Sequence, residues 1–203
     1  MKKLLLTSAG LSNSKITKAF LELVNKPVSE IKVIFVPIAS RTKEELYYVE
    51  ESKKELIELE IKRENIKTLN LDRKVSDSDV SGFDVIYVCG GNTFYILHKV
   101  RENGFDKVIK KFVESGRIYF GVSAGSIIAG PNIEVASLQD GNDIALKNLK
   151  ALNLTNIAIS PHVNETGFEK VKEFKKRVNY QVLPLTDNQA LLVLDTETRI
   201  IGD

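Results

Sequence analysis

The sequence has a single cysteine and two histidines among 203 residues, and none of its apolar runs approaches the length needed to span a bilayer. The lone Cys89 excludes an internal disulfide framework, and an unpaired thiol is easiest to keep in a reducing compartment, so a cytoplasmic location is expected. With only His98 and His162 and no clustered acidic motif there is no metal-ligand spacing, so neither a metal nor another cofactor is expected. An excess of one charge is also missing. The 29 basic and 27 acidic residues leave a net charge of +2, which creates no field to gather nucleic acid. The basic stretch Lys170 to Arg177 carries Val171, Phe174 and Val178 at helical spacing and reads as a solvated helix face. Met1-Lys2-Lys3-Leu4-Leu5-Leu6 opens like a signal peptide, but its apolar part is short and enters Ser/Gly/Asn turn chemistry at once, as a buried first strand would.

What is present is an alternation of short β-branched runs with amphipathic stretches. Strands are predicted at Lys3 to Thr7, Lys32 to Pro37, Ile66 to Leu71, Val85 to Cys89, Ile118 to Val122, Ile157 to Ser160, Gln181 to Leu185 and Ala190 to Leu194. Helices are predicted at Ser14 to Val24, Thr42 to Leu59, Thr93 to Val100, Phe105 to Ser115 and Glu165 to Val178. This is the pattern of one α/β domain over residues 1–203, a mostly parallel sheet with helices on both faces. The connection Thr186-Asp187-Asn188-Gln189 looks like a hairpin turn, so the last two predicted strands are expected to pair antiparallel at one sheet edge. In open α/β sheets ligands bind beyond the carboxyl ends of the strands, so the loops there are where chemistry is sought.

Three strand ends carry it. Ile118 to Val122 runs into Gly121-Val122-Ser123-Ala124-Gly125, a Gly-x-Ser-x-Gly pattern followed by small helix-forming residues. In a nucleophile elbow the serine holds a strained backbone, flanking glycines avoid clashes, and the helix start offers the Ala124 N–H to an oxyanion. A plain helix cap at Ser123 is the structural alternative. Val85 to Cys89 enters Gly90-Gly91-Asn92, where the glycines let backbone approach a ligand and the Gly91 N–H can complete an oxyanion hole, with Gly90 and Asn92 facing substrate. Neither Gly-Lys-Ser/Thr nor Gly-x-Gly-x-x-Gly is there to favour a nucleotide. Ile157 to Ser160 leads to Pro161-His162, and His162 is the stronger candidate base, since His98 falls on a predicted helix. Cys89, the rival nucleophile, lies within a strand and reads as a buried hydrophobe. Three acids are open as the partner of the histidine: Asp187, Asp140 and Asp143.

Gly90-Gly91-Asn92-Thr93-Phe94, Gly121-Val122-Ser123-Ala124-Gly125 and Pro161-His162, in that order and spacing, resemble the peptidase S51 family of aspartyl dipeptidases, as do Ala151 to Leu154 and Leu185 to Asn188. The resemblance implies a class I glutamine amidotransferase-like fold, a flavodoxin-like three-layer sandwich, with serine where relatives carry cysteine. It implies a Ser, His, acid triad whose glutamate is replaced here by Asp187, one methylene shorter, and a second aspartate that falls on Asp140. It also implies small peptide substrates, dipeptides with an N-terminal aspartate, met by a basic group such as Arg41 or a cation of the Glu165 to Arg177 helix. The expected activity is therefore a serine peptidase acting on small peptides through an acyl-enzyme on Ser123, without nucleic acid or membrane partners, as a monomer or small homo-oligomer. The alternatives are a non-catalytic small-ligand-binding protein of the same fold and an esterase or amidase of α/β-hydrolase type.

Overall fold

The computed structural model describes residues 1–38 and 43–203, and the side chains of all of these except residues 43–45. Among the described residues, nine strands and six α-helices follow in the order β1 (Lys3–Thr7), α1 (Ser14–Val24), β2 (Val33–Val36), α2 (Lys43–Glu58), β3 (Ile66–Thr68), β4 (Val85–Val88), α3 (Thr93–Glu102), α4 (Phe105–Glu114), β5 (Ile118–Val122), the single turn α5 (Ala124–Ile127), β6 (Ile157–Ser160), α6 (Glu165–Lys175), β7 (Gln181–Pro184), β8 (Gln189–Leu194) and β9 (Glu197–Gly202). Seven strands form the central sheet in the order β3-β2-β4-β5-β1-β8-β9. The five on the β3 side run parallel, and β8 and β9 are antiparallel to their neighbours.

Pleat alternation builds the two core layers. Leu5, Val33, Phe35, Val85, Tyr87 and Phe120 face α1 and α2, where Phe20 meets Phe120 edge-on at 5.4 Å and Tyr87 stacks on Phe120 at 4.6 Å. Their neighbours Leu4, Leu6, Ile34, Val36, Ile86, Val88 and Tyr119 face the other way, onto α3, α4, α5 and α6. The helices follow from sequence in the usual way. Asn13 caps α1 by accepting from the N–H groups of Lys15 and Ile16, and Asn164 caps α6 by accepting from Gly167. No helix among the described residues is long and apolar enough to cross a membrane.

Two expectations are corrected. β7 and β8 do not form a hairpin: β7 pairs parallel with β6 in a separate two-stranded sheet, and the antiparallel edge is the hairpin of β8 and β9. Strand β9, absent from the sequence reading, has four of its six residues exposed, Ile200 among them, so it lacks the apolar run used to find the others. The strand that leads to His162 is therefore not in the central sheet, and it packs instead against Gly130 just past α5, where an added Cβ would lie 3.0 Å from the Ile157 carbonyl oxygen.

Packing is tight at the β5–α5 turn. A Cβ on Gly125 would lie 2.2 Å from the carbonyl oxygen of Val88 on β4, and one on Gly121 would lie 2.7 Å from the backbone of Gly125. The Tyr119 hydroxyl, buried beneath the turn, donates to the Gly125 carbonyl at 2.7 Å. Gly125→Ala must push α5 off β4, and we expect it to lower stability by about 2 kcal/mol, a fall in Tm of roughly 4–8 °C. An unchanged melting curve would show that the turn yields freely.

One carboxylate sits against the loop after β1. Glu55 on α2 accepts the N–H of Leu11 at 3.0 Å. Burial raises its pKa, the Leu11 hydrogen bond opposes this, and the like charges of Glu51 and Glu58 add to the rise. The folded chain thus holds this proton more tightly than the unfolded chain, so the contribution of Glu55 to stability falls as pH rises from 4.5 through its raised value. Glu55→Gln keeps the acceptor for Leu11 and is expected to be at least as stable at pH 7, with a flatter dependence of Tm on pH than the parent. Parallel pH profiles of the two proteins would contradict this.

Candidate functional site

The register of the central sheet determines which loops meet. β1 lies between β5 and β8, with Thr7 opposite both Val122 and Ala190. Because β5 is parallel and β8 antiparallel to it, the end of β1, the end of β5 and the start of β8 share one edge. Ser8, Ser123 and Asp187 follow or precede these strands by one or two residues, so they converge. His162 arrives from the small sheet, where Ser160 is paired with Pro184. The N–H of Leu185 donates to the Ser160 carbonyl at 2.9 Å and that of Val163 to the Leu185 carbonyl at 3.0 Å. These bonds set the spacing between His162 and Asp187.

Ser123 has φ 49° and ψ −113°, outside the ordinary allowed regions for a side-chain-bearing residue. Such a conformation costs on the order of 1–3 kcal/mol and persists only when its surroundings over-determine it. They do so here. The Ser123 N–H donates to the Thr7 carbonyl at 3.0 Å, and its carbonyl accepts from Ser126 and Ile127 at 2.8 and 3.0 Å. The Ser126 hydroxyl, fully buried, lies 2.8 Å from the carbonyls of both Thr7 and Gly121. Without hydrogen bonds to its own helix, the Ser123 side chain is not a cap.

Its hydroxyl points at His162. Ser123 Oγ is 2.8 Å from His162 Nε2, and His162 Nδ1 is 2.6 Å from Asp187 Oδ1. The carboxylate accepts a hydrogen bond from the Nδ1–H of the imidazole, which leaves the Nε2 lone pair directed at the serine. His162 is itself in the left-handed region, with φ 55°. The shorter aspartate reaches the imidazole because the loop lies close: Ser12 Oγ donates to the Asp187 carbonyl at 2.8 Å, and Asn13 Nδ2 donates to that of Asn188 at 2.9 Å.

The other predicted site residues fall around this chain of bonds. Asp140 is not in it. Its Oδ2 accepts from the backbone N–H and the hydroxyl of Thr93 at 2.9 and 2.5 Å, tying its loop to the start of α3. Asn92 is engaged in the same tie, since its Oδ1 caps α3 at Tyr95 and its Nδ2 donates to the Gly141 carbonyl at 2.8 Å. Asp143 is exposed in the same loop. Gly91 has φ 121°, which side-chain-bearing residues rarely adopt, and a Cβ on Gly90 would stand 3.3 Å from that of Ser123, so the glycine pair lies against the serine. Ala124 opens α5, and the first N–H groups of a helix have no partner within it. Cys89 is buried, and burial together with nearby Glu55 pushes its thiol pKa far up, against thiolate formation. His98 stands on α3 with Glu102 Oε1 4.0 Å away. Arg41 lies outside the described residues.

A cavity of about 240 Å³ opens beside the imidazole, walled by Leu138, Gln139, His162, Thr166, Gly167 and Lys170 among others. Lys170 is the one lysine or arginine among its described wall residues and has no ion pair among the described residues, whereas Lys172 on the same helix pairs with Glu169, and Lys176, just past the helix, pairs with Glu173. Sequence reading did not single out Lys170 within its helix, nor Ser8, Ser12 and Asn13. Those three sit in a loop that directly follows a strand, which was the available signal.

Comparison with known proteins gives one answer. A sequence profile of peptidase family S51 matches residues 4–201. An uncharacterized peptidase of Listeria monocytogenes is 32% identical over 203 residues, covering 97% of each chain, and a peptidase E of Pasteurella multocida is 30% identical over 186 residues, covering 84% of this chain and 74% of its own. The fold superposes with a TM-score of 0.84 on a crystal structure of a candidate peptidase E from Listeria monocytogenes EGD-e, 31% identical, over 100% of this chain and 98% of that one. A peptidase from an acI-B1 actinobacterium, at 13% identity and a TM-score of 0.68, shares the fold. Matched along almost its whole length, the chain belongs to peptidase family S51.

Proposed function

We propose that the protein is a serine peptidase that cleaves small peptides through an acyl-enzyme on Ser123. The observation that carries this reading is the unbroken path from Ser123 Oγ to His162 Nε2 at 2.8 Å and from His162 Nδ1 to Asp187 Oδ1 at 2.6 Å. His162 takes the serine proton as Oγ bonds to the scissile carbonyl carbon, and the resulting oxyanion is held by the N–H groups of Gly91 and Ala124. Collapse breaks the C–N bond, with the proton on His162 passing to the leaving amine. Water, deprotonated by the same imidazole, then releases the acyl group. Asp187 orients the imidazole and stabilises its charged form. Asp140 supports the loop that carries Gly91.

The substrate we infer is a dipeptide with a carboxylate near the scissile bond, of the Asp-X type. The cavity beside His162 supports this, since it is small and Lys170 is its cation without an ion pair among the described residues.

Labelling with a fluorophosphonate probe tests the first reading. We expect labelling in the parent, none in Ser123→Ala, and a loss of kcat of about 10³-fold or more in Asp187→Asn. Asp140→Asn is expected to cost far less, and the assignment of the acid falls if it alone abolishes turnover. For the second reading, a dipeptide library is assayed with Lys170→Gln. Loss of the charged partner is expected to lower kcat/KM for Asp-X about 10-fold while leaving Leu-X unchanged. Equal losses on both would rule out a carboxylate at Lys170.

A further inference from the structure

We propose that Ser8 is a positioning residue of this centre, holding acid and base in register from the protein interior. This rests on the reading of Ser123, His162 and Asp187 given above. Ser8 is fully buried at the end of β1. Its Oγ accepts the backbone N–H of His162 at 2.7 Å and lies 2.9 Å from Asp187 Oδ1. An ionised carboxylate only accepts, so the single hydroxyl proton goes to Asp187. The same Oδ1 takes the Nδ1–H of His162. The bonds therefore close a ring that leaves His162 at its backbone nitrogen, passes through Ser8 Oγ and Asp187 Oδ1, and returns to the imidazole. A ring of this kind fixes both side-chain torsions of the histidine, and it gives the N–H of a left-handed residue a partner.

Such support is needed because the ion pair cannot provide it. The side chains of His162 and Asp187 are 41% and 62% exposed. An exposed pair contributes little and leaves the carboxylate open to water, too little to select one rotamer of a short side chain. Ser12 and Asn13 hold only the backbone of the Asp187 loop. Among the described residues, Ser8 and His162 supply the hydrogen bonds to the carboxylate.

The test is a double-mutant cycle between Ser8→Ala and Asp187→Ala, read as the rate of Ser123 labelling by a fluorophosphonate and as kcat and KM on a cleaved dipeptide. Ser8→Ala alone is expected to lower labelling rate and kcat about 10- to 100-fold, the loss typical when the outer hydrogen-bond partner of a functional histidine is removed, with KM little changed. In the Asp187→Ala background it should add less than about twofold, because the residue through which it acts is gone. A loss of equal size in both backgrounds, or parental kinetics in Ser8→Ala, overturns the proposal. Proton NMR gives a readout that needs no activity. The downfield Nδ1–H signal, assigned by its disappearance in His162→Gln, should shift or broaden in Ser8→Ala, and an unmoved signal counts against the ring. If the parent is not labelled at Ser123 while Ser8→Ala moves that signal, the peptidase reading fails and the positioning role stands.

Discussion

The constraint on which the site depends is the contact between the α5 turn and the end of β4. Gly125 stands where any side chain would strike the Val88 carbonyl, and Gly121 stands where it would strike Gly125. These two absences of a Cβ bring the helix start down onto the sheet, and a chain that turns so abruptly must pass through the backbone conformation that Ser123 adopts. The strain is local, on the order of a few kcal/mol, and the hydrogen bond to Thr7 together with those from Ser126 and Ile127 locks it in place. The result is a serine lifted clear of the sheet edge with its hydroxyl turned outward, and the nearby Gly90 leaves room for it.

Around that fixed point the topology does the rest. Parallel pairing on one side of β1 and antiparallel pairing on the other put two strand ends and one strand start at the same edge, so residues remote in sequence meet without long loops. His162 is carried by a separate two-stranded sheet, but the parallel β6–β7 ladder ties it to the segment that leads to Asp187. Acid and base are thereby set by a single unit, and the loop after β1 docks that unit to the serine. That unit is held in place by hydrogen bonds with Ser8, Ser12 and Asn13.

Much of this is legible in the sequence, and the boundary has physical causes. β1, β5 and β6 are continuous apolar runs ended by turn chemistry, and their observed limits agree with those predicted. The serine and histidine are readable because strand ends, glycines and a scarcity of histidines all restrict the choice. Which strands pair is a different matter, since Gln181 to Leu185 has the same apolar pattern whether it joins the central sheet or a small one. Asp140 and Asp187 are likewise equivalent as acids in a loop, and only the distances separate a carboxylate that holds Thr93 from one that holds an imidazole. Ser8 carries no such signal, because serine is among the residues that commonly fill a turn after a strand whatever their role.

Cys89 makes the same point from the opposite side. A thiol is intrinsically the better nucleophile, and this one lies at the end of β4, next to the Gly90-Gly91 turn. Pleat alternation puts Val85, Tyr87 and Cys89 on the face covered by α1 and α2, however, while Ile86 and Val88 face the other layer. Buried there, the thiol resists ionisation, and Glu55 adds a like charge against it. Ser123, a poorer nucleophile by its chemistry, follows a strand at a turn that no longer obeys the pleat, within 2.8 Å of an imidazole. Reactivity here belongs to the position before it belongs to the atom.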